Sequence, residues 1–545
     1  MRGYWSCLGL LLALVQLSYE AVLENKDYYV AGVVEFSPVS VRDNGVETIG
    51  NNSNLYIKYI EQAKQQNVDI IVFPEDGLTS LNMPGLLSMD WATVIPAPEE
   101  KYVPCTGNRS GVTQALKNIS CAAKQHSMYV VVNIAEHATC YPADKCPYNG
   151  TRYHNTQVVF DRTGQIIARY RKVNLYMEHR FHPADPQEVI TFDTDFGVTF
   201  GTFICFDILF SVPALNLTRN LGISDVIYSA AWFSEAPFLT AVETQFGWAY
   251  AEDVNMLASG YSRPEAGNGG SGIYLGRQGI ANAILSGDPK NRLLVSRVPK
   301  KAMKKPRTEY IRSDPSKFPA NDYYRADSRT KIVNGVALLH DNISAFESVP
   351  LKGSMNQSLC HRGFCCNFNV TANLVDATTN YRAVIYNGIR FYGREVKCGI
   401  RVCAVLQCSD NTLASCGSVV PSSSSFSNLE ITTTLEDYTQ FLAMPSTLHT
   451  SLYPFEQWTF DDHKDGNRKH LKLALNQVAY NITTFGIYIR DFNRDQWIIT
   501  KSQSDLFAND VPMTGVSGAS SFSDVSTIVS FLTILMTFTI HVISG

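Results

Sequence analysis

Short apolar runs alternate with helix-like segments along the first 300 residues of the chain. Continuous apolar runs of this kind are typical of buried strands. Helical spacing of apolar residues occurs at 54–66 and 239–255. The strand-like runs lie at 28–36, 68–73, 128–134, 156–160, 165–170, 198–205, 225–229 and 256–259. This alternation predicts an α/β domain over 28–330, in which helices cover buried sheets.

The pattern changes from about residue 335. Short β-type runs, such as 383–386 and 401–406, alternate there with Cys, Asn and Gly. Such a texture is typical of extracellular domains whose short strands are linked by disulfides. We therefore predict a second, smaller domain over 331–516 that is β-rich and disulfide-stapled.

The composition of the 545 residues narrows the class of protein. Only 18% of the residues are charged, and the formal net charge is −4, whereas globular proteins average about 25% charged residues. The chain has no basic excess with which to neutralise phosphates, so we expect no nucleic-acid partner. Aromatic residues make up 11% of the chain, which argues against a disordered scaffold.

The N-terminus and the glycosylation motifs both predict export. Residues 1–20 combine a positive start at Arg2, an apolar run over 4–17 and small or polar residues, which is the layout of a removed signal peptide. A retained membrane anchor is the alternative, but it needs about 20 apolar residues. Asn-x-Ser/Thr motifs agree with an extracellular location. They lie at Asn51, Asn108, Asn118, Asn149, Asn216, Asn342, Asn356, Asn369 and Asn481.

The C-terminus resembles the signal for a glycosylphosphatidylinositol (GPI) anchor. Residues 528–543 are apolar apart from Ser, Thr and one His, and no Lys or Arg follows them. A spanning helix usually carries a positive cytoplasmic flank, whereas small residues, a polar spacer and an apolar tail form a GPI signal. We predict that 518–545 are removed and that Ser517 or Gly518 carries the lipid. The protein would then sit on the extracellular face of the cell membrane, with shedding as a route to secretion. A plain membrane span is the alternative.

In an oxidising compartment most of the 13 cysteines should be paired. Cys7 leaves with the signal peptide. Four cysteines of the first domain allow three pairings, and we expect Cys105–Cys121 and Cys140–Cys146. The second domain has an odd number, so one of its cysteines is free or pairs elsewhere. A zinc site there is the alternative, although histidines at ligand spacing are missing. These cysteines are Cys360, Cys365, Cys366, Cys398, Cys403, Cys408 and Cys416.

Three strand-like runs each end in a residue suited to acyl transfer, namely Glu75, Lys172 and Cys205. The thiolate is the nucleophile, but a free thiol has a pKa of about 8.5. Glu75 can take its proton as general base and return it to the leaving amine. Lys172 and the backbone N–H of Phe206 can stabilise the tetrahedral oxyanion. Taken singly, a cysteine at a strand end is usually a small buried hydrophobe, and a charged residue there is usually solvated.

The residues around these positions resemble the nitrilase superfamily of carbon–nitrogen hydrolases. The matching motifs, in chain order, are Phe73-Pro74-Glu75, Arg171-Lys172-x-Asn174-Leu175 and Cys205-Phe206-Asp207-Ile208-Leu209-Phe210. Longer stretches look like the secreted vanin and biotinidase branch. These are HNTQVVFDRTGQIIARYRKVNLY at 154–176, FGTFICFDILF at 200–210, SAAWF at 229–233 and GGSGIY at 269–274. The resemblance runs from about residue 28 into the cysteine-rich region.

The resemblance implies a nitrilase-type four-layer α-β-β-α sandwich, followed by a vanin-type C-terminal domain. It maps the proton acceptor, the proton donor and oxyanion stabiliser, and the nucleophile onto Glu75, Lys172 and Cys205. Glu178 takes the place of a second carboxylate that holds the lysine, with an ordinary surface glutamate as the alternative. The implied reaction is hydrolysis of a linear, non-peptide amide through a Cys205 thioester. Pantetheine would give pantothenate and cysteamine, and biocytin would give biotin and lysine.

The implied chemistry needs neither a metal nor another cofactor. His179 and His182 form an H-x-x-H pair that raises the question of a metal site. No third ligand accompanies the pair in the sequence, and three protein ligands are usual at a catalytic zinc. We therefore expect no metal and no cofactor, with a small amide as the substrate.

Several alternatives stay open. Glu178 follows Met177 directly, which looks more like biotinidase, whereas the GPI-type tail points to vanins. The segment GYSRPEAGNGG at 260–270 differs from both branches. Acyl transfer to an amine or thiol is not separated from hydrolysis. A non-enzymatic, GPI-anchored adhesion glycoprotein that kept the fold is the alternative class, and the oligomeric state is open.

Overall fold

The computed structural model of the protein describes residues 26–140, 150–306, 323–374, 379–393, 396–436 and 438–497. The predicted signal peptide over 1–20 and the predicted GPI signal over 518–545 lie outside these residues. Ser517, Gly518 and Asn149 lie outside them too. What the sequence predicts for these segments therefore stays a prediction.

In its described residues, the first domain is built from short strands separated by three α-helices. The helices are α1 (Gly45–Gln65), α2 (Gln114–His126) and α3 (Ala241–Glu252). Shorter helical segments are Pro98–Glu100, Cys205–Leu209, Ser211–Asn220, Pro264–Ala266 and Gly276–Gln278. The strands are β1 (Tyr28–Glu35), β2 (Ile70–Val72), β3 (Tyr129–Thr139), β4 (Thr151–Phe160), β5 (Ile166–Arg171), β6 (Ile190–Asp193), β7 (Thr199–Ile204), β8 (Asp225–Ala230), β9 (Glu235–Ala236), β10 (Asn255–Gly260), β11 (Ser271–Leu275), β12 (Ile280–Ile284) and β13 (Arg292–Pro299).

These strands form two six-stranded sheets of similar topology. The first sheet has the order β13-β1-β2-β3-β4-β5, and the second has the order β12-β11-β10-β8-β7-β6. In each sheet three neighbouring inner strands are parallel, β1-β2-β3 in one and β7-β8-β10 in the other. Parallel strands are buried on both faces, and β2 and β8 are buried along their whole length. The loops that follow β2 and β7 each leave one of these inner parallel strands.

The two sheets pack face to face and helices cover their outer faces. Between the sheets, Val33 and Val131 of the first share a core with Ile227 and Leu257 of the second. Side chains of α1 and α2 pack on the outer face of the first sheet. Side chains of α3 and of Ser211–Asn220 pack with the second sheet. This arrangement confirms the predicted four-layer α-β-β-α sandwich.

Two of the helices differ from the sequence-based expectation. α1 begins at Gly45 rather than near 54, because the side chain of Asn44 accepts a hydrogen bond from the Glu47 N–H at 3.0 Å and caps the helix. Its first turns bury polar residues such as Asn52, which hides the helical spacing. Helix α2 was not predicted at all, although it buries an apolar face of its own. Only α3 lies within its predicted range.

The second domain is a pair of antiparallel-rich sheets. Its strands are β14 (Tyr323–Val333), β15 (Val336–Asp341), β16 (Glu347–Pro350), β17 (Met355–His361), β18 (Phe364–Asn373), β19 (Asn380–Tyr392), β20 (Val396–Cys408), β21 (Ser425–Glu436), β22 (Phe441–His449), β23 (Trp458–Asp461), β24 (Lys464–Asp465), β25 (Arg468–Leu475), β26 (Ala479–Tyr480) and β27 (Ile482–Trp497). Single turns lie at Ile343–Ala345, Leu413–Ser415 and Tyr438–Gln440. The predicted boundary at 330/331 falls inside β14.

One sheet of the second domain extends into the first domain. Its order is β22-β27-β20-β19-β14-β15-β9, with β16 paired to β19. Strand β9 belongs to the first domain, so this sheet continues across the chain's two halves. The other sheet has the order β17-β18-β21-β25-β23, with β24 and β26 at its margins. The predicted β-rich, disulfide-containing C-terminal part is therefore confirmed.

The disulfides account for most of the described cysteines. Cys105–Cys121 forms as predicted, whereas the predicted partner of Cys140, Cys146, lies outside the described residues. Among the described cysteines only Cys205 and Cys398 are free, and both are buried. The odd cysteine of the second domain is therefore Cys398. The pairs of that domain are Cys360–Cys365, Cys366–Cys403 and Cys408–Cys416.

Most of the predicted glycosylation sites that the structure describes are accessible. Asn118 and Asn216 are partly buried. The exposed ones are Asn51, Asn108, Asn342, Asn356, Asn369 and Asn481. Their modification stays a prediction. Within the described part of the chain, no helix has both the length and the apolar character needed to cross a membrane.

Candidate active site

Cys205 occupies a tight turn at the end of β7. It opens the turn Cys205–Leu209 and has a φ of 48°, a left-handed conformation that non-glycine residues rarely adopt. The carboxylate of Asp207 holds the turn by accepting hydrogen bonds from the Ile204 N–H at 3.0 Å and from the Asn174 N–H at 2.9 Å. The Tyr170 hydroxyl donates to it at 2.6 Å. The turn thus places the Cys205 thiol within the electrostatic influence of Glu75, Lys172 and Glu178.

Glu75 lies in the loop that follows β2 and is only 2% exposed. Its Oε2 accepts a hydrogen bond from the backbone N–H of Ala231 at 2.8 Å, and its Oε1 accepts one from Asn155 Nδ2 at 2.8 Å. These bonds come from the loop after β8 and from β4. They fix both oxygens of a buried carboxylate, which would otherwise be costly to desolvate.

Lys172 follows β5 and is 1% exposed. Its Nζ donates to Glu75 Oε1 at 2.6 Å and to Glu178 Oε1. Burial opposes the charged ammonium, but the carboxylates of Glu178 and Glu75 outweigh it and raise the pKa of Lys172 well above 10.5. The lysine is therefore a fixed cation between two carboxylates.

The surroundings of Cys205 favour the protonated thiol over the thiolate. Burial, followed by the charge of Glu75, raises the pKa of Cys205 well above 9.0, and Lys172 only partly opposes this. A hydrogen bond to Glu75 adds to the rise. Because a thiol needs to lose its proton to become a good nucleophile, this arrangement requires a base, and Glu75 is the adjacent carboxylate.

Asn155 links the two carboxylates and was not singled out from the sequence. Its Nδ2 donates to Glu75 and to Glu178, both at 2.8 Å. Its Oδ1 accepts from Asn133 Nδ2 at 2.6 Å, and Asn133 in turn accepts from the Asp76 N–H at 2.9 Å. The signal was present in the HNTQ motif, which contains Asn155, but the motif served only as part of the resemblance.

Aromatic rings from both domains line the turn of the nucleophile. Phe206, next to Cys205, lies 4.9 Å from the ring of Tyr392 and 5.0 Å from that of Tyr176. The Tyr176 ring is 6.3 Å from Phe233. Tyr392 belongs to β19, so the second domain contributes directly to these surroundings. Asn268, in the unusual 260–270 segment, donates to the Ala231 carbonyl oxygen at 3.0 Å.

His182 of the H-x-x-H pair contacts the backbone of β4. The backbone N–H of Tyr153 donates to His182 Nδ1 at 3.1 Å, and burial lowers the pKa of His182. In the part of the chain that the structure describes, no three His, Cys, Asp or Glu side chains form a group suited to a metal ion. His182 thus links the loop after Lys172 to β4 through Tyr153.

The structure brings the four predicted side chains together. Glu75, Lys172 and Glu178 form one hydrogen-bonded and ion-paired group, and Cys205 lies in electrostatic contact with all three. A buried thiol, a carboxylate and a fixed cation suit attack on a carbonyl carbon with transfer of the thiol proton. The fold and this site define a carbon–nitrogen hydrolase that acts on non-peptide amides.

Comparison with known proteins gives the family. Residues 13–243 match the carbon-nitrogen hydrolase family, and residues 336–495 match the vanin C-terminal domain. The chain is 38% identical to vanin-like protein 1 of Drosophila melanogaster, covering 90% of this chain and 91% of the relative. It is 30% identical to a pantetheinase of Homo sapiens, covering 88% and 92%. It is 29% identical to the biotinidase of Homo sapiens, covering 86% and 90%. The chain belongs to the vanin and biotinidase branch of the nitrilase superfamily.

Proposed function

We propose that the protein hydrolyses pantetheine to pantothenate and cysteamine, with Cys205 as the nucleophile. The observation that carries this proposal is the buried, ion-paired group of Glu75, Lys172 and Glu178, whose charges act on the Cys205 thiol. Similarity to pantetheinases over most of the chain supports the choice of substrate.

In the first half of the reaction the Cys205 sulfur attacks the amide carbonyl carbon. Glu75 takes the thiol proton as the carbon–sulfur bond forms, and it returns that proton to the amine nitrogen as the carbon–nitrogen bond breaks. Lys172 and the N–H of Phe206 stabilise the oxyanion. Cysteamine leaves, and the pantothenoyl group remains on Cys205 as a thioester.

In the second half, water replaces the amine. Glu75 takes a proton from water as the oxygen attacks the thioester carbonyl, and it returns a proton to the leaving sulfur. This releases pantothenate and restores the thiol. Glu178 keeps Lys172 charged and in place throughout, because it shares the ammonium with Glu75.

Biocytin is the second candidate substrate. Similarity to biotinidase favours it, as does the direct succession of Met177 and Glu178. Both substrates are linear amides, so the same residues would act on either. Acyl transfer from the thioester to an amine or thiol, instead of to water, is a variant of the same mechanism.

The decisive experiment is a panel of small amides offered to the wild-type protein and to Cys205→Ala. We expect the wild type to release a free thiol from pantetheine and the variant to release none. Turnover of biocytin with no turnover of pantetheine would overturn the substrate, and undiminished activity of Cys205→Ala would overturn the mechanism. Analysis of the acid product distinguishes hydrolysis from acyl transfer.

We further propose that the enzyme acts outside the cell while held by a GPI anchor at Ser517 or Gly518. The exposed sequons and the signal-like N-terminus support an extracellular location. Phosphatidylinositol-specific phospholipase C should release the protein from intact cells. Retention on the cells, with residues 518–545 still present on the mature chain, would contradict this proposal.

A further inference from the structure

The second domain forms hydrogen bonds with the segment 231–236, which includes the N–H group that orients Glu75. Strand β9 pairs in parallel with β15, and the Leu339 N–H donates to the Ser234 carbonyl oxygen at 3.0 Å. The same segment begins at Ala231, whose N–H holds Glu75 at 2.8 Å. The position of this N–H therefore depends on a strand that the second domain keeps in place.

A buried arginine of the second domain also forms an ion pair with β9. Arg390 of β19 is fully buried, and its Nη2 donates to Glu235 of β9 and to Asp341 Oδ1, the latter at 2.6 Å. A buried ion pair that loses one partner leaves an uncompensated charge, which is strongly unfavourable. The pairing therefore determines where β9 sits.

Arg390 also contacts Tyr392, whose ring packs against the turn that contains Cys205. Arg390 and Tyr392 are two residues apart on β19, so they share a face of the sheet. The guanidinium lies 4.0 Å from the centroid of the Tyr392 ring. That ring contacts Phe206 edge-on, at 4.9 Å and 70°, and Phe206 is bonded directly to Cys205.

A second buried arginine holds the other end of this turn. Arg490 of β27 is also fully buried, and its Nε donates to the carbonyl oxygen of Leu209 at 2.9 Å. Leu209 ends the turn that Cys205 begins. Both ends of the turn are thus in contact with the second domain, one through Tyr392 and one through Arg490.

We propose that Arg390, acting through Glu235 and Tyr392, is a positioning residue for the reaction, so that the second domain is part of the catalytic unit. This inference rests on the role of Cys205 proposed above. Arg390 touches no reacting atom. It holds the N–H that orients the base and the ring that braces the turn of the nucleophile.

The test uses Arg390→Gln and Arg390→Lys, with Arg219→Gln as the matched control. Arg219 also makes an ion pair, partly buried, with Glu252 at 2.6 Å, and it contacts the second domain by donating to the Phe441 carbonyl oxygen at 3.1 Å. It contacts none of the active-site residues described above. The control therefore removes a comparable link between the domains away from the nucleophile.

Two readouts are measured on folded protein, verified by thermal unfolding. The first is kcat and KM on the amide that the wild type cleaves. The second is the rate at which iodoacetamide alkylates Cys205, read by peptide mass spectrometry, which needs no knowledge of the substrate. If a substitution destabilised the fold as a whole, it would expose the buried Cys205 thiol and speed its alkylation. If a substitution instead displaced Glu75 from Cys205, alkylation would slow, because Glu75 would be less able to take the thiol proton.

We expect Arg390→Gln to lower kcat about 100-fold, more than it changes KM, and to slow alkylation about tenfold, since small displacements of reacting groups are costly. Arg390→Lys should lie between Gln and wild type, because it keeps the charge but loses the planar fork. Arg219→Gln should stay within about threefold of wild type. Equal effects of Arg390→Gln and Arg219→Gln, or faster alkylation in Arg390→Gln, would overturn the inference.

Glu235→Gln provides the same test if Arg390→Gln does not fold. It removes one charge of the pair while keeping the size of the side chain, and the same directions are expected. The outcomes also separate this inference from the proposed function. Undiminished activity of Cys205→Ala defeats the proposed function, whereas dependence on Cys205 without dependence on Arg390 defeats the inference alone.

Discussion

Asp207→Asn should separate stability from catalysis at the turn of the nucleophile. Asp207 is fully buried, and its carboxylate accepts from Asn174, Tyr170 and Ile204. In the variant, the amide oxygen keeps the contact with Asn174, and the Tyr170 hydroxyl can turn to accept from the new NH2 group. The Ile204 N–H then faces a donor and loses its partner. Ile204 lies directly before Cys205, so the loss falls on the turn itself.

Two effects of similar size oppose each other in the stability of this variant. Burial raises the pKa of Asp207 from 3.8 to about 6, so keeping it ionised at neutral pH costs about 3 kcal/mol. Because the folded protein holds this proton more tightly than the unfolded chain, this cost appears as the pH rises from about 4 to about 6. Asparagine removes the cost but leaves a buried N–H unpaired, at about 1–3 kcal/mol.

We therefore expect the stability of Asp207→Asn at pH 7 to lie within about 2 kcal/mol of wild type, while kcat falls about 100-fold. Guanidinium unfolding between pH 4 and pH 7 measures the first quantity, and it should show a weaker fall of stability with pH in the variant. Amide hydrolysis measures the second.

Asp225→Asn is the matched control for this prediction. Asp225 is also buried, its pKa is also raised by burial, and it accepts from Tyr29 and Asn255, both at 2.8 Å. It lies at the start of β8, whereas the active-site loops follow the other end of the strands. We expect normal kcat in this variant. Normal kcat in Asp207→Asn as well would refute the idea that Asp207 holds the turn.

Three further substitutions test the charge arrangement. Glu178→Gln removes the carboxylate that does most to raise the pKa of Lys172 against burial, so the alkaline limb of kcat against pH should move to lower pH; an unmoved limb would contradict this. Asn155→Asp puts a third carboxylate between Glu75 and Glu178 and should lower kcat/KM more than about 100-fold, whereas near-normal turnover would show that the bridge is dispensable. Glu75→Gln removes the base and should slow alkylation of Cys205 about 100-fold or more; a wild-type rate would mean that another group takes the proton.

The sequence predicted the parts of the fold that depend on local pattern. Strand-like runs identified β2 and β7, and Glu75 and Cys205 follow these two inner parallel strands. Helix α2 was not predicted because its buried residues are mostly small, which weakens the apolar periodicity. The first half of α1 was not predicted because it buries a polar residue, Asn52, whose amide donates to the carbonyl oxygens of Val39 and Leu78. A hydrophobicity pattern does not register such polar burial.

The missed parts of the site depend on contacts between distant segments. Asn155 meets Glu75 across 80 positions of sequence, and its role follows from the antiparallel pairing of β3 with β4. Arg390 meets Glu235 across 155 positions, because β9 joins the edge of the sheet that contains β19. Arg390 and Arg490 of the second domain both lie far along the chain from the sequence motifs that contain the catalytic residues. Pairing of this kind is set by tertiary packing, for which a single sequence carries no periodic signal.

The central claim is that Cys205 carries the acyl group, and capture of the thioester tests it most directly. The wild-type protein is mixed with excess pantetheine, quenched in acid within one turnover, digested and examined by mass spectrometry. We predict that the peptide containing Cys205 gains one pantothenoyl group and that hydroxylamine removes it. Product formation with no adduct on Cys205, or with the adduct on another residue, would contradict the account.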